Sequence, residues 1–403
     1  MAPGATFAAL KSRNYRLYWI GLCCYVLGHR AEYVTFAWLV WEATRDPLYL
    51  GYLGLAQGVP LIVFQLFGGV LADRVNRLRL VMATQVMITL NLVIAFALTA
   101  SGLVGVAHLL TLAALSCVFR AFDEPSRMSL VPQLIARAQL PNAVALGSIP
   151  WQAGRMIGPS ITGVVIAAFG GTVGLAMAAV ASAAALALYT RVRASGGAPP
   201  GDGRGMHRQL AEGVNFVLRD FVFAALICLA LFNALFGLSY VTLLPVFADV
   251  YFGVGSAGYG LLQAGHGAGA LIGTLTIATI APRIRHRGRV LLIGAACMGT
   301  ALVVFARSPG MAVAVPVLLV VGFSNTFYLT QVSTFLQQQV PDHLRGRVMS
   351  LYALCWNLLP LGGLIGGVLA AAVDARFAIA VGGVLVAANA LLLLFSRRLR
   401  ALG

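Results

Sequence analysis

Charge is scarce in this chain. Only 10% of its 403 residues are charged and just 12 are acidic, whereas a soluble globule carries about 25% charged residues. With 60% apolar residues and a mean hydropathy of +0.89, the chain must be solvated by lipid. Lysine is nearly missing: of 28 basic residues only Lys11 is one, a bias that points to a GC-rich bacterial source. The formal charge of +16 invites a nucleic-acid reading. The arginines, however, fall in short clusters between apolar runs and form no continuous basic face, so no nucleic acid is expected. The six cysteines (Cys23, Cys24, Cys117, Cys228, Cys297, Cys355) lie inside apolar stretches without metal-ligand spacing, as small buried side chains do. The six histidines are scattered, and only His29-x-x-Glu32 sets a base near an acid. No Gly-x-x-x-x-Gly-Lys-Ser/Thr loop occurs, which argues against an ATP-driven pump. A membrane-embedded enzyme would need a nucleophile with its base or a ligand cluster, so no enzyme, metal or cofactor is expected. No cleavable signal is expected either, because the first apolar run is too long and more follow.

What is present is a series of runs able to cross about 30 Å of hydrocarbon. Twelve helices are predicted, near 15–42, 48–72, 79–101, 104–124, 141–168, 171–192, 220–250, 256–281, 289–306, 310–335, 347–372 and 376–396. With the N-terminus inside, 22 basic residues fall on one side, including Arg74 to Arg79, the 191–219 stretch and Arg397 to Arg400. Only Arg45, Arg307 and Arg376 fall on the other. That asymmetry predicts both termini in the cytoplasm. The Ala194 to Gly205 stretch is rich in Gly and Pro and reads as a linker, and Leu210, Val214, Val217 and Phe221 share one face of a short interfacial helix. The expected domains are therefore a six-helix bundle over 1–193, a linker over 194–218 and a second bundle over 219–403. Gly69-x-Leu71 recurs as Gly273-x-Leu275, and Gly158-Pro-x-x-Thr-Gly163 as Gly362-Gly-x-x-Gly-Gly367, both displaced by 204 residues. Two agreements at one displacement indicate an internal repeat.

Between the second and third runs lies Gly69-Val-Leu-Ala-Asp73-Arg74-Val-Asn-Arg77-Leu-Arg79, a carboxylate beside three guanidiniums at the lip of the membrane. This order resembles the major facilitator superfamily hairpin G-x-L-a-D-R-x-G-R-R, with Asn76 and Leu78 departing from it. Pro125 to Leu134, Leu140 to Leu146, Arg155-Met-Ile-Gly-Pro159 and Gln339 to Leu351 are similar to the bacterial branch containing enterobactin and macrolide exporters. The resemblance implies an all-α membrane protein of twelve transmembrane helices in two pseudo-symmetric six-helix bundles. It also implies a secondary transporter working by alternating access in the bacterial cytoplasmic (inner) membrane. Gly154-x-x-x-Gly158-Pro159-x-x-x-Gly163 resembles the antiporter motif of the superfamily's exporters, with Thr162 in place of a glycine. It implies efflux and tight packing against the other half. The expected function is proton-coupled efflux of a small organic molecule, a siderophore or drug-like compound, by a monomer. An importer or facilitator of an organic metabolite or lipid is the alternative.

Charged groups within spans should face a cavity or a partner. Arg30, Glu32 and Arg155 qualify, with His29 titratable on the same face as Glu32. Glu32 is expected to pair with Arg155 across the first half, while Arg30 is left for a substrate anion. His29 or Glu32 is the expected proton carrier. Trp151 and Gln152 join Asn233, Tyr240, Gln263, His266, Asn325, Tyr328, Trp356 and Asn357 of the second half as a candidate aromatic-lined pocket. Arg120, Asp123 and Glu124 are spaced for pairing at the end of span four. With Gly69, Asp73, Arg74, Arg77 and Arg347 they make the expected cytoplasmic gate. There Arg74 or Arg77 would pair with Asp123 or Glu124, and Asp73 would face span eleven near Arg347.

Overall fold

The computed structural model describes residues 8–193, 214–280, 284 and 286–400, apart from the side chains of Leu66, Val70, Asp73, Asp342 and His343. The expected linker and the start of its interfacial helix, Leu210 included, lie outside the described residues. Helix begins again at residue 214.

Long apolar runs that must satisfy every backbone group within themselves form helices. Twelve long ones follow in order: α1 (Arg13–Thr44), α2 (Pro47–Arg74), α3 (Arg77–Ala100), α4 (Val106–Leu134), α5 (Leu140–Phe169), α6 (Gly171–Tyr189), α7 (Phe221–Tyr251), α8 (Gly255–Ile280), α9 (Arg287–Ala306), α10 (Met311–Gln339), α11 (Leu344–Ala372) and α12 (Ala375–Leu394). Ten of them are long and apolar enough to cross a membrane by composition alone. The other two, α1 and α5, are 32 and 30 residues long. Their apolar runs are interrupted by Arg30 and Glu32 in one and by Gln152 and Arg155 in the other. Local chemistry sets the ends. Asn76, which departs from the superfamily hairpin, caps α3 by accepting from Arg79 N at 3.1 Å. Asp374 likewise caps α12, accepting from Phe377 N at 2.6 Å. Gly170 turns the chain from α5 into α6 with φ 85°.

The helices form two compact units, Met1–Arg45 with Ala56–Asp202, and Asp46–Leu55 with Gly203–Gly403. The first turns of α2 thus group with the second unit, where Gly51 lies against Leu364 and Gly363. In the first unit α1 packs on α4, α5 and α6, and α3 on α4 and α6. In the second, α7 packs on α11 and α12, and α9 on α10 and α12. The same scheme is therefore built twice. It extends to single residues: a Cβ on Gly158 of α5 would meet Arg30 of α1 at 2.7 Å, and one on Gly362 of α11 would meet Ala234 of α7 at 2.5 Å. Both partners lie 204 residues apart, the displacement of the sequence repeat. In α7 this contact falls within a π-helical turn, Asn233–Gly237, and a second such turn spans Phe247–Tyr251.

Helices carry little hydrophobic drive to associate inside lipid, so close backbone approach through small residues holds each unit together internally. Gly269 of α8 faces the Leu319 carbonyl of α10, where any Cβ would collide with backbone. Gly147 of α5 has nothing within 4 Å of a Cβ position. Gly269→Ala should therefore lower the thermal unfolding temperature in detergent, while Gly147→Ala should leave it unchanged or raise it slightly through helix propensity.

Candidate functional site

The polar interior of the first unit is assembled from four helices. On α1, Tyr18, Tyr25 and Glu32 repeat every seven residues and share a face. On α4, Arg120 and Arg127 have the same spacing, and Asp123 lies between them. Arg120 Nη2 pairs with Glu32, and its Nη1 donates to Tyr25 Oη at 3.1 Å. Arg127 Nε pairs with Asp123 one turn earlier. Its Nη1 donates to Tyr189 Oη of α6 at 2.6 Å and its Nη2 to Gln85 Oε1 of α3 at 2.9 Å. Thr84 completes Asp123 by donating to Oδ1 at 2.8 Å, and Gln85 Nε2 donates to Ser182 Oγ at 2.6 Å. The Tyr25 ring lies between the two guanidiniums, with Arg127 Cζ 4.0 Å and Arg120 Cζ 5.5 Å from its centroid.

Glu32, Arg120, Asp123 and Arg127 are all buried, with exposures of 4%, 5%, 0% and 5%. Two acids meet two bases, so the seam is electroneutral, the condition under which ionised groups persist away from water. Where α1, α3, α4 and α6 meet, Tyr25, His29, Glu32, Arg120, Ile88 and Leu92 line a narrow crevice. The His29 ring stacks at 6.4 Å on Tyr25 and stands edge-on at 6.1 Å to Trp151 of α5. Its buried Nδ1 has no hydrogen-bond partner among the described residues.

Several expectations are corrected by this arrangement. Glu32 pairs with Arg120, not with Arg155. Arg120 lies on the α4 face turned toward α1, whereas Arg155 is exposed on α5. Arg120 accordingly belongs to the buried seam. Asp123 pairs with Arg127 at i,i+4, not with Arg74 or Arg77. Arg74 is exposed, and Arg77 Nη1 donates to the Ser129 carbonyl at 3.1 Å. Glu124 is half-buried, with no hydrogen bond or ion pair among the described residues. The Asp73 carboxylate lies outside the described residues, and Arg347 is half-buried on α11. At the hairpin the close approach belongs to Gly68, which faces the backbone of Ala121 and Phe122, while Gly69 has nothing within 4 Å of a Cβ position. Gly154 and Gly158 pack on Val26 and Arg30 of α1 within their own unit, so they account for the α1–α5 contact. Thr162 and Gly163 beyond Pro159 are buried, with Thr162 Oγ1 donating back to the Gly158 carbonyl at 2.8 Å.

Arg30 and Arg155 differ from the seam arginines. Neither has a hydrogen-bond or ion-pair partner among the described residues, and Arg30 Nε is fully buried. Gly154, the residue before Arg155, brings α5 up to Arg30, where a Cβ would meet its Cγ at 3.8 Å. Each arginine sits near the middle of its helix, where an unpaired guanidinium facing hydrocarbon costs about 2.5–3.5 kcal/mol.

In the second unit Tyr240 Oη and His266 Nδ1 lie 2.7 Å apart, joining α7 to α8. Asn233, Gln263, Asn325 and Tyr328 each hold a buried polar atom without a hydrogen-bond partner among the described residues. Trp356 is exposed and Asn357 half-buried on α11, while Trp151 and Gln152 are half-buried in the first unit. The sequence reading missed Tyr25, Gln85, Arg127, Ser182 and Tyr189. Two signals were available: Arg127 stands four residues after Asp123, and Gln85 interrupts the apolar run of α3.

A family model described as a transmembrane secretion effector matches residues 4–402. The chain belongs to this family of major facilitator transporters. It is 23% identical over 350 residues to the staphyloferrin A transporter of Staphylococcus aureus (strain NCTC 8325 / PS 47), covering 84% of this chain and 85% of that protein. It is 26% identical over 360 residues to the multidrug efflux pump Tap of Mycolicibacterium fortuitum, covering 85% and 86%. Two solved structures share the fold across nearly the whole chain. One is a bacterial homologue of the human lysosomal transporter Spinster, with TM-score 0.71 and 17% identity over 97% of both chains. The other is a POT family transporter, with TM-score 0.76 and 12% identity over 96% of both. The family member described here is thus a multi-pass secondary transporter of small molecules, not an enzyme.

Removing one partner of a buried ion pair leaves the other charge uncompensated, which costs about 3–5 kcal/mol. Glu32→Gln and Arg120→Gln should each destabilise the transporter by that order in thermal unfolding, and the double substitution should recover most of the loss. Full additivity of the two losses would show that the pair does not act as a unit.

Proposed function

We propose that this transporter exports a small organic molecule, siderophore-like or drug-like, in exchange for protons. The observation that carries the coupling is the placement of Glu32 and His29 in one crevice at mid-helix depth, with Glu32 held by Arg120. A carboxylate in such a place is either ionised and paired or protonated and released from its pair, which is what a proton-driven cycle requires. The direction draws on the family's description as a secretion effector and on a relative named as a multidrug efflux pump. We place both termini in the cytoplasm and the protein in the bacterial inner membrane on the strength of its arginine distribution. The α2–α3 hairpin, with Asp73, Arg74 and Arg77, is proposed to act at the cytoplasmic entrance, and Arg347 of α11 is proposed as a gate residue as well. Opposite charges there can bond in one state of a rocking cycle and separate in the other.

The test uses the purified protein in liposomes with ethidium at equal concentration on both sides and an imposed pH gradient. Wild type should move ethidium against its gradient and stop when a protonophore collapses the proton force. Glu32→Gln should still exchange ethidium for ethidium but lose the response to pH. A Glu32→Gln protein that follows the gradient normally would remove Glu32 as the proton carrier.

A further inference from the structure

The duplicated architecture supplies an internal control for the two unpartnered arginines. Gly158 lies against Arg30 in the first unit just as Gly362 lies against Ala234 in the second. Gly158 meets the Arg30 side chain, whereas Gly362 meets backbone carbonyls of Ala234 and Leu235, so the repeat of this contact in the second unit is made without a guanidinium. At the same displacement of 204 residues, Arg155 corresponds to Leu359. Neither cation is repeated at the equivalent position of the second unit.

Their setting also separates them from the other charges of the first unit. Arg120 and Arg127 each have a carboxylate and further hydrogen bonds. Arg30 and Arg155 have neither among the described residues, and Arg155 shares the α5 face of Trp151, Gly154 and Gly158 that packs on α1. Gly154 and Gly158 bring α5 against the aliphatic stem of Arg30, which leaves that side chain little freedom to swing away. Trp151 stands one turn before Arg155 on α5, and its ring meets His29, the neighbour of Arg30 in sequence. Two forked donors on facing helices, both without an anion and near an aromatic ring, match a planar oxyanion on an organic body.

We propose that Arg30 and Arg155 form a carboxylate-binding subsite, so that the transported molecule is an organic anion carrying at least one carboxylate. This rests on the transporter reading and narrows its substrate class. Two guanidiniums give the empty subsite a double positive charge, which a carboxylate relieves and a cationic drug does not. A lipid phosphate offers similar oxygen chemistry, and the experiment separates the two sources.

The experiment follows tryptophan fluorescence of the full chain in nanodiscs of neutral phosphatidylcholine while benzoate, succinate and citrate are titrated, with triethyl citrate as the uncharged counterpart. At least one carboxylate should bind saturably and triethyl citrate should not. Arg30→Ala, which installs the residue found at the equivalent place in the second unit, and Arg155→Gln should each weaken binding by about tenfold or more, as expected for a lost charged hydrogen bond. Arg30→Lys should retain part of it. The proposal is overturned if no carboxylate binds, or if both variants bind as tightly as wild type. It is also overturned if only exchange of the neutral lipid for phosphatidylglycerol produces an arginine-dependent signal, which would assign the pair to lipid. Loss of carboxylate binding in the variants with ethidium export intact would leave both readings standing at separate places. Absence of gradient-driven flux in wild type of both ethidium and the carboxylate that binds would instead sink the export reading.

Discussion

The first unit depends on keeping ionised groups away from lipid by pairing them with one another. Glu32 with Arg120 and Asp123 with Arg127 put two acids and two bases into one seam, and Tyr25, Gln85, Thr84 and Tyr189 use the remaining donors and acceptors. Because those residues come from α1, α3, α4 and α6, the seam fixes the mutual register of four helices as well as their charge balance. Apolar packing alone could not do this in lipid, where one greasy face is much like another. A buried ionic network is specific because its geometry admits few alternatives.

The second unit solves the same packing problem differently. Its helices meet through glycines such as Gly269, Gly299, Gly322 and Gly362, each facing backbone of a neighbour. Within it a neutral polar link joins Tyr240 and His266. Two halves built on one repeat have thus divided their duties. The first concentrates the ionisable interior, and the second offers amide, phenol and imidazole groups in two π-turn-interrupted and glycine-rich helices. Such turns break the regular ladder and leave backbone and side-chain groups to seek other partners, a frequent property of functional helices.

The fold was largely legible because its signals are local. Run length gives the helices, the Gly158 to Gly163 and Gly362 to Gly367 match gives the duplication, and the hairpin around Asp73 gives the superfamily. The intrahelical relation of His29 to Glu32 was legible for the same reason, since three residues on one helix must share a face. Pairings between helices were not. Glu32 had several arginines within plausible reach, and its choice of Arg120 depends on how α4 is rotated, a quantity that helix-internal spacing does not contain. Arg127 was hidden by a different effect. Counted among the basic residues that orient the chain, it looked like an interfacial charge, yet it is 5% exposed and saturated with partners. The glycines of α5 were read through their motif as facing outward from their own bundle, while the actual neighbour is α1.

The near absence of lysine has a consequence for what can move through this interior. A guanidinium stays charged across the whole physiological range, whereas an ammonium placed among apolar walls can give up its proton. With arginine at 30, 120, 127 and 155, every cation of the first unit's interior is a fixed point in the electrostatic landscape. Any exchange of hydrogen ions there must use the imidazole of His29 or the carboxylates of Glu32, Asp123 and Glu124. The bases set the field, and four side chains on two helices alone can answer to it.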